Sequence, residues 1–111
     1  MNMRGIMMNT ESIMECIGVF SDEAPKLRDI LSITQLELAK IIGISRQSVI
    51  DFEHRNRKIT RPVLISMICY FSLRKETALY LYERSFYNNE YVSFLGFSAE
   101  MIEKIYGIGS E

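Results

Sequence analysis

Apolar residues recur three or four positions apart over most of this 111-residue chain, which is the spacing of one face of an α-helix. No segment alternates apolar and polar residues in the way that a half-buried strand would. The clearest pattern lies between residues 35 and 54, where Leu38, Ile42, Val49 and Phe52 are the inward positions of two short helices. We therefore expect an all-α fold, a compact bundle of five or more short helices.

The residues that begin and end helices divide this stretch in the same way. Thr34 can cap a helix, and Glu37 three positions later completes a capping box. Gly43 ends that helix, because the residue after a helix often adopts the left-handed conformation that only glycine takes at low cost. Ser45 then caps a second helix that runs to about residue 55. The pattern predicts a helix, a tight turn anchored by Ile44, and a helix.

The same signals place the other helices. Thr10 can begin a short helix that ends near Val19, and Ser21 can begin a second one that ends near Leu31. Further helices are expected to start near residues 60 and 75, and Ser98 can cap a last one. We expect three regions: an N-terminal arm that can hold a short helix (1–21), a helix-turn-helix domain (22–75) and an aromatic-rich helical extension (76–111).

The formal net charge of −1 hides an uneven distribution along the chain. Residues 25–75 hold ten lysines and arginines against four acidic residues, a net charge of +6. Residues 1–24 sum to −3 and residues 76–111 to −4. A basic centre between acidic ends is typical of a polyanion-binding region with non-binding flanks. A chance distribution of surface charge would look the same, so charge alone does not decide.

Few residues offer metal or catalytic chemistry. Cys16 and Cys69 are far apart, have apolar neighbours and belong to no Cys/His cluster, so we expect buried free thiols in a reducing compartment. His54 is the only histidine, and no glycine-rich phosphate loop is present. We therefore expect no metal, no cofactor and no enzymatic activity.

No part of the sequence has the character of a targeting or membrane segment. Glu11 and Glu15 interrupt the apolar residues near the N-terminus, which argues against a signal peptide. No stretch approaches the roughly 20 apolar residues of a membrane span. We expect a cytoplasmic protein with no membrane partner.

A run of type-restricted residues extends through the central region. It consists of Leu27-Arg28, Thr34-Gln35, Leu38-Ala39, Gly43, Ser45-Arg46-Gln47-Ser48-Val49 and Glu53, with no gap in the spacing. Residues 25–73 thereby resemble the phage-repressor (lambda Cro/repressor, XRE-like) helix-turn-helix family, although Ser32 replaces a usual glycine and His54-Arg55-Asn56 replaces a usual Asn-Gly. The resemblance implies a lambda repressor-like fold for this region, to which the helices expected from the pattern after residue 75 are additional. It also implies a transcriptional regulator of the repressor type that binds double-stranded DNA sequence-specifically.

In that family the N-terminal residues of the second helix face the bases in the major groove. Arg46 and Gln47 are therefore the first base-reading candidates, since Arg pairs with guanine and Gln with adenine, each through two hydrogen bonds. Arg46 could instead bind phosphate alone. Asp51, one turn later, could accept from a cytosine amine, or could pair with Arg55 on the helix surface.

Phosphate contacts are expected from groups around that helix. Gln35 matches the family's backbone-contacting glutamine at a helix N-terminus. Ser45, Arg55, Arg57 and Lys58 are the other candidates, with a solvated basic loop as the alternative. The resemblance further implies that Arg28 and Glu53 form an ion pair that braces the first helix against the second helix of the motif.

The C-terminal region, residues 76–111, holds eight of the twelve aromatic residues and is acidic. These side chains could cover the helix-turn-helix and enlarge its core. They could instead form a homodimer interface, which we favour because one recognition helix reads too few bases for specificity. A third possibility is a pocket for an effector or a partner protein. A different class of function is an antitoxin-type module that binds a toxin through 76–111 and represses its own operon.

Overall fold

The computed structural model describes residues 10–55 and 59–109, and within these ranges the chain is helical with short connections and contains no strand. Each helix contributes to one hydrophobic core, so the prediction of an all-α bundle is confirmed. The elements are α1 (Thr10–Leu31), α2 (Gln35–Ile42), α3 (Arg46–Glu53), α4 (Arg61–Ser72), α5 (Lys75–Glu83), a 3-10 turn (Phe86–Asn88), α6 (Glu90–Phe94) and α7 (Ala99–Tyr106).

The N-terminal part differs from the expectation, because α1 is one continuous helix of 22 residues and not two short ones. Ser21 does not cap a helix; its side chain is buried and its Oγ donates a hydrogen bond to the backbone oxygen of Phe52 in α3. Pro25 lies inside the helix, where it removes one backbone donor. The expected boundary at residue 21 therefore falls within α1.

The physical reason for the continuous helix is an unbroken buried stripe. Cys16, Phe20, Ala24 and Leu27 are each fully buried, and they follow one another at intervals of three or four residues across the expected break. In proteins most helical stability comes from packing of such a face, which here outweighs the local signals at Ser21 and Pro25.

The helix, turn and helix predicted around Gly43 are present. Thr34 Oγ1 accepts from the Glu37 amide at 3.0 Å and Glu37 Oε1 accepts from the Thr34 amide at 2.8 Å, which is the predicted capping box. Gly43 adopts the left-handed conformation, with φ of 88°, and its amide donates to Ala39 O. Ser45 Oγ caps α3 by accepting from the Ser48 amide at 3.0 Å.

The remaining helices complete the hydrophobic core. α4 begins just after Thr60 and α5 begins at Lys75, as predicted, and Leu64, Phe71 and Leu81 are fully buried. α7 is capped by Ser98 and ends at Gly107, which has φ of 70°.

Most of the C-terminal aromatic residues are buried within the chain itself. Phe86, Tyr87 and Tyr91 are nearly inaccessible, whereas the Phe94 side chain is 42% exposed. The partly buried members are Tyr80, Tyr82, Phe97 and Tyr106. This burial favours the simpler of the alternatives, in which the segment covers the helix-turn-helix. The homodimer stays a prediction, but the aromatic residues no longer require it.

The tyrosine hydroxyls also tie the C-terminal segment to the rest of the bundle. Tyr106 Oη donates to Ser72 O at 2.7 Å, and Tyr87 Oη lies 2.8 Å from Ser72 Oγ. Tyr80 Oη donates to Glu23 in α1 at 2.9 Å. The last helices are therefore fixed to α1 and α4 by polar as well as apolar contacts.

Candidate nucleic-acid interface

The helix α3 has one buried side and one open side. Val49 and Phe52 are buried in the core, which fixes the rotation of the helix about its axis. Arg46 and Gln47 are then exposed at its N-terminal end, with Asp51 half-buried one turn later. The predicted base-reading residues thus lie on the same face and are brought together by the fold.

A hydrogen bond orders two of these side chains. Gln47 Nε2 donates to Asp51 Oδ1 at 2.9 Å, so the Asp51 carboxylate orients the amide of Gln47. Gln47 is exposed, and within the described residues no partner is assigned to its second amide hydrogen or to Oε1. These are the one donor and one acceptor that an amide uses to pair with the edge of adenine. Among the described residues, the Arg46 side chain makes no hydrogen bond or ion pair, so its guanidinium is available to a ligand.

The alternative pairing of Asp51 with Arg55 is wrong. Arg55 points away from Asp51 and binds α1: Nε donates to Asp22 Oδ1 at 3.1 Å, and Nη2 donates to Asp22 Oδ2 and to Gly18 O. The guanidinium of Arg55 is already paired within the chain. Its predicted role as a phosphate ligand stays a prediction.

Behind this face lies the brace between Arg28 and Glu53, whose predicted pairing is confirmed. Arg28 Nε and Nη2 donate to the two carboxylate oxygens of Glu53 at 2.7 and 3.0 Å. The Glu53 side chain is only 4% exposed and that of Arg28 15%. Gln35 Nε2 donates to Glu53 Oε1 at 3.0 Å, so the predicted phosphate-binding glutamine belongs to the same network.

The start of α2 offers backbone donors instead. The capping box occupies the amides of Thr34 and Glu37. The backbone amides of Gln35 and Leu36 also lie in the first turn of α2, where an amide has no acceptor within the helix. Free amides and the helix dipole together make such an N-terminus favourable for an anion.

An open depression of about 760 Å³ joins the end of α1 with the starts of α2 and α3. It brings the exposed guanidinium of Arg46 to the same surface as the N-terminus of α2, an arrangement suited to a phosphate group. The lining residues are Arg28, Asp29, Ser32, Ile33, Thr34, Gln35, Leu36 and Arg46.

Two further phosphate-binding candidates, Arg57 and Lys58, lie outside the described residues. Ser45 is described, and its hydroxyl is used as the cap of α3 and lies 2.9 Å from the Ser48 hydroxyl. Sequence analysis missed the roles of Ser21 and Asp22, which bind the C-terminal end of α3. No local pattern could reveal them, because the partners are 31 and 33 residues away.

Cys16 and Cys69 are both free thiols, and only Cys16 is fully buried. Burial raises the pKa of the Cys16 thiol to about 12, with the neighbouring Glu15 carboxylate adding to the shift. Cys69 is a half-buried free thiol. Within residues 10–55 and 59–109, no three His, Cys, Asp or Glu side chains are grouped in a way that could hold a metal ion. Nor does any helix in these ranges have the length and apolar character needed to cross a bilayer.

The geometry of α2 and α3 is accordingly the main guide to function. Comparisons of the chain with protein-family models, with curated proteins and with solved structures found no match.

Proposed function

We propose that this protein binds double-stranded DNA sequence-specifically as a transcriptional regulator of the repressor type, with α3 as the recognition helix. One observation carries the proposal. Buried Val49 and Phe52 fix α3 in the core, while Arg46 and the oriented amide of Gln47 project from its N-terminal end. This is the end at which helix-turn-helix proteins contact base edges in the major groove.

Charge and backbone geometry support the same ligand. The net charge of +6 on residues 25–75 favours a polyanion. The depression between Arg46 and the first turn of α2 has the donors that a DNA phosphate needs, and it adjoins the recognition helix. Base contacts and backbone contacts are thus available on one continuous surface.

A second copy of the chain completes the proposed arrangement. One recognition helix of eight residues contacts only a few base pairs, whereas two copies related by a two-fold axis would read two half-sites. We therefore propose a cytoplasmic homodimer on a two-fold symmetric site. Sedimentation analysis tests this part, and a monomer at concentrations well above the Kd for DNA would contradict it.

The binding proposal is tested by titrating duplex DNA with the protein and with two variants. The DNA is a site selected from a random-sequence pool, together with a scrambled duplex of equal length. Arg46→Ala and Gln47→Ala should each lower discrimination between the duplexes by about 5- to 150-fold, the range for one lost base contact. Lys104→Gln on α7 is the control for the loss of one exposed positive charge. Unchanged discrimination in folded Arg46→Ala and Gln47→Ala proteins would contradict the proposal.

An antitoxin-type function is the second candidate, favoured by the apolar side chains that the C-terminal half leaves open. Phe94 is 42% and Ile105 56% exposed, in a segment with a net charge of −4. Under this proposal, the product of a neighbouring toxin-like gene binds that segment, while α3 represses the shared operon. Co-expression of the two products tests it: the Phe94→Ser variant should release the partner and keep DNA binding.

A further inference from the structure

We propose that Asp22 and Arg55 form a clamp that fixes the C-terminal end of the recognition helix, which makes Asp22 a positioning residue for base recognition. This inference rests on the proposed function. Asp22 belongs to α1 and lies outside α2, the turn at Gly43 and α3. Arg55 is then an intramolecular anchor and not a phosphate ligand.

The clamp is a bidentate ion pair. Arg55 Nε donates to one carboxylate oxygen of Asp22 and Nη2 to the other, at 3.1 and 2.5 Å. Nη2 also donates to Gly18 O at 3.2 Å. Such paired bonds fix the orientation of a guanidinium as well as its distance. Every hydrogen bond that the Arg55 side chain makes within the described residues is directed at α1.

The backbone at Arg55 explains why this position needs an anchor. Arg55 has φ of 59°, a left-handed conformation that residues other than glycine rarely adopt. The Arg55 amide donates to Phe52 O, the same oxygen that accepts from the Ser21 hydroxyl. Three contacts therefore hold the end of α3 on α1: the Arg28 brace, the Ser21 bond and the Asp22 clamp.

The clamp can influence base recognition because α3 is short. Its eight residues span about 12 Å, so a tilt on the order of 5° at one end moves the other end by about 1 Å. Hydrogen bonds to base edges operate over donor–acceptor distances of about 2.7–3.2 Å and do not tolerate such a shift. Loss of the clamp leaves the Arg28 brace and the Ser21 bond in place, so we expect it to loosen the C-terminal end of α3 and to shift Arg46 and Gln47 without releasing the helix.

The clamp can be removed without unfolding the protein. The side chains of Arg55 and Asp22 are 57% and 62% exposed, and ion pairs of this exposure add little to stability. Loss of the pair should thus be visible in DNA binding before it is visible in thermal unfolding. A direct phosphate contact and a clamp also differ in signature. Loss of a phosphate contact weakens binding to all sequences and reduces the salt slope, whereas loss of positioning reduces discrimination.

The test compares Asp22→Asn, Arg55→Gln and the charge-swapped double variant Asp22→Arg with Arg55→Asp. Each is titrated, over a range of salt concentrations, with the selected duplex and with the scrambled duplex. We expect both single variants to lower discrimination by roughly threefold to tenfold, near the lower end of the range for one lost base contact, with the salt slope unchanged. The double variant should recover most of the lost discrimination between the two duplexes. Glu100→Gln, which removes one acidic partner of an exposed ion pair in α7, is the matched control.

Three results would overturn the clamp. One is a drop of about 0.9 in the salt slope for Arg55→Gln with unchanged discrimination, since it would make Arg55 a phosphate ligand. Another is an Asp22→Asn protein that binds like Glu100→Gln. The third is a charge-swapped variant that recovers nothing. If the unmodified chain shows no preference for any duplex, the proposed function itself fails, which is a distinguishable outcome.

Discussion

The polar contacts of Arg28 and Gln35 behind α3 converge on Glu53. Its carboxylate accepts from Arg28 and from Gln35 and is almost fully buried. A buried charge is tolerated only when it is paired, so the stability of the fold depends on the donors around Glu53 more than on any exposed ion pair.

We predict that Arg28→Met destabilises the protein by about 3–5 kcal/mol, because it leaves the buried Glu53 carboxylate without its main donor. The double variant Arg28→Met with Glu53→Met should lose clearly less, since no unpaired charge remains. Chemical denaturation of the three proteins measures this difference. The brace would be refuted if Arg28→Met cost no more than Lys104→Met, which breaks an exposed ion pair in α7.

The buried hydroxyl of Tyr87 makes the stability of the fold depend on pH in the alkaline range. Burial raises the pKa of Tyr87 from 10.0 to about 12, so the folded chain keeps a proton that the unfolded chain loses. Ionisation of Tyr87 therefore leaves the free energy of unfolding unchanged below about pH 10. As the pH rises from 10 towards 12, it lowers that free energy by up to ~1.4 kcal/mol per pH unit. Tyr87→Phe should make the decline of the unfolding free energy between pH 10 and 11.5 less steep. Equal slopes in the two proteins would contradict the assignment.

Single residues also show where inference from sequence succeeds and where it ends. The capping box at Thr34 and the cap at Ser45 involve partners three residues apart, and both were predictable. The Asp22–Arg55 pair joins residues 33 positions apart, so no local pattern contained it. Gln35 shows an intermediate case: its place at the start of α2 was predicted, but its bond to Glu53 was not.

Among the secondary-structure elements, the turn between α2 and α3 fixes the relation of the two helices. Gly43 has φ of 88°, and no atom lies within 4 Å of the position that a β-carbon would take. A side chain at this point would meet no steric obstacle and would suffer only from the backbone conformation. A substitution at Gly43 therefore measures the cost of the left-handed backbone conformation without a steric contribution.

We predict that Gly43→Ala destabilises the protein by roughly 1–2 kcal/mol, the cost of a β-carbon in the left-handed region. Gly18→Ala is the matched control, because Gly18 lies inside α1 and its added β-carbon would meet Arg55 at an ordinary contact distance of 3.8 Å. This control should gain roughly 0.5–1 kcal/mol. Urea denaturation of both variants gives the two values, and shifts of the same sign would contradict the argument.

α1 is the element for which the sequence was misleading. The serine and acidic residues at 21–23 and the proline at 25 are the usual signals of a helix start, yet they lie in the middle of a helix. Their side chains serve other elements: Ser21 and Asp22 bind the end of α3, and Glu23 accepts from Tyr80 in α5. Tertiary partners decided the structure here, and the sequence did not identify them.

For the molecule as a whole, the C-terminal aromatic residues illustrate the limit of composition. Burial inside one chain and burial between two chains both remove aromatic surface from water, so composition could not distinguish them. The structure places Tyr87 and Tyr91 in the core of the chain and leaves Phe94 open. Tyr87 and Tyr91 are thus buried within one chain, and dimerisation would have to use surface that remains exposed.

The central claim is that α3 reads a DNA sequence through Arg46 and Gln47. The most direct test is selection of binding sites from a random-sequence duplex pool by the unmodified chain and by Gln47→Ala in parallel. We predict one enriched motif with two-fold symmetry for the unmodified chain. For Gln47→Ala we predict the same motif with relaxed preference at one position in each half-site. No enriched motif, or an identical motif for the two proteins, would contradict that claim.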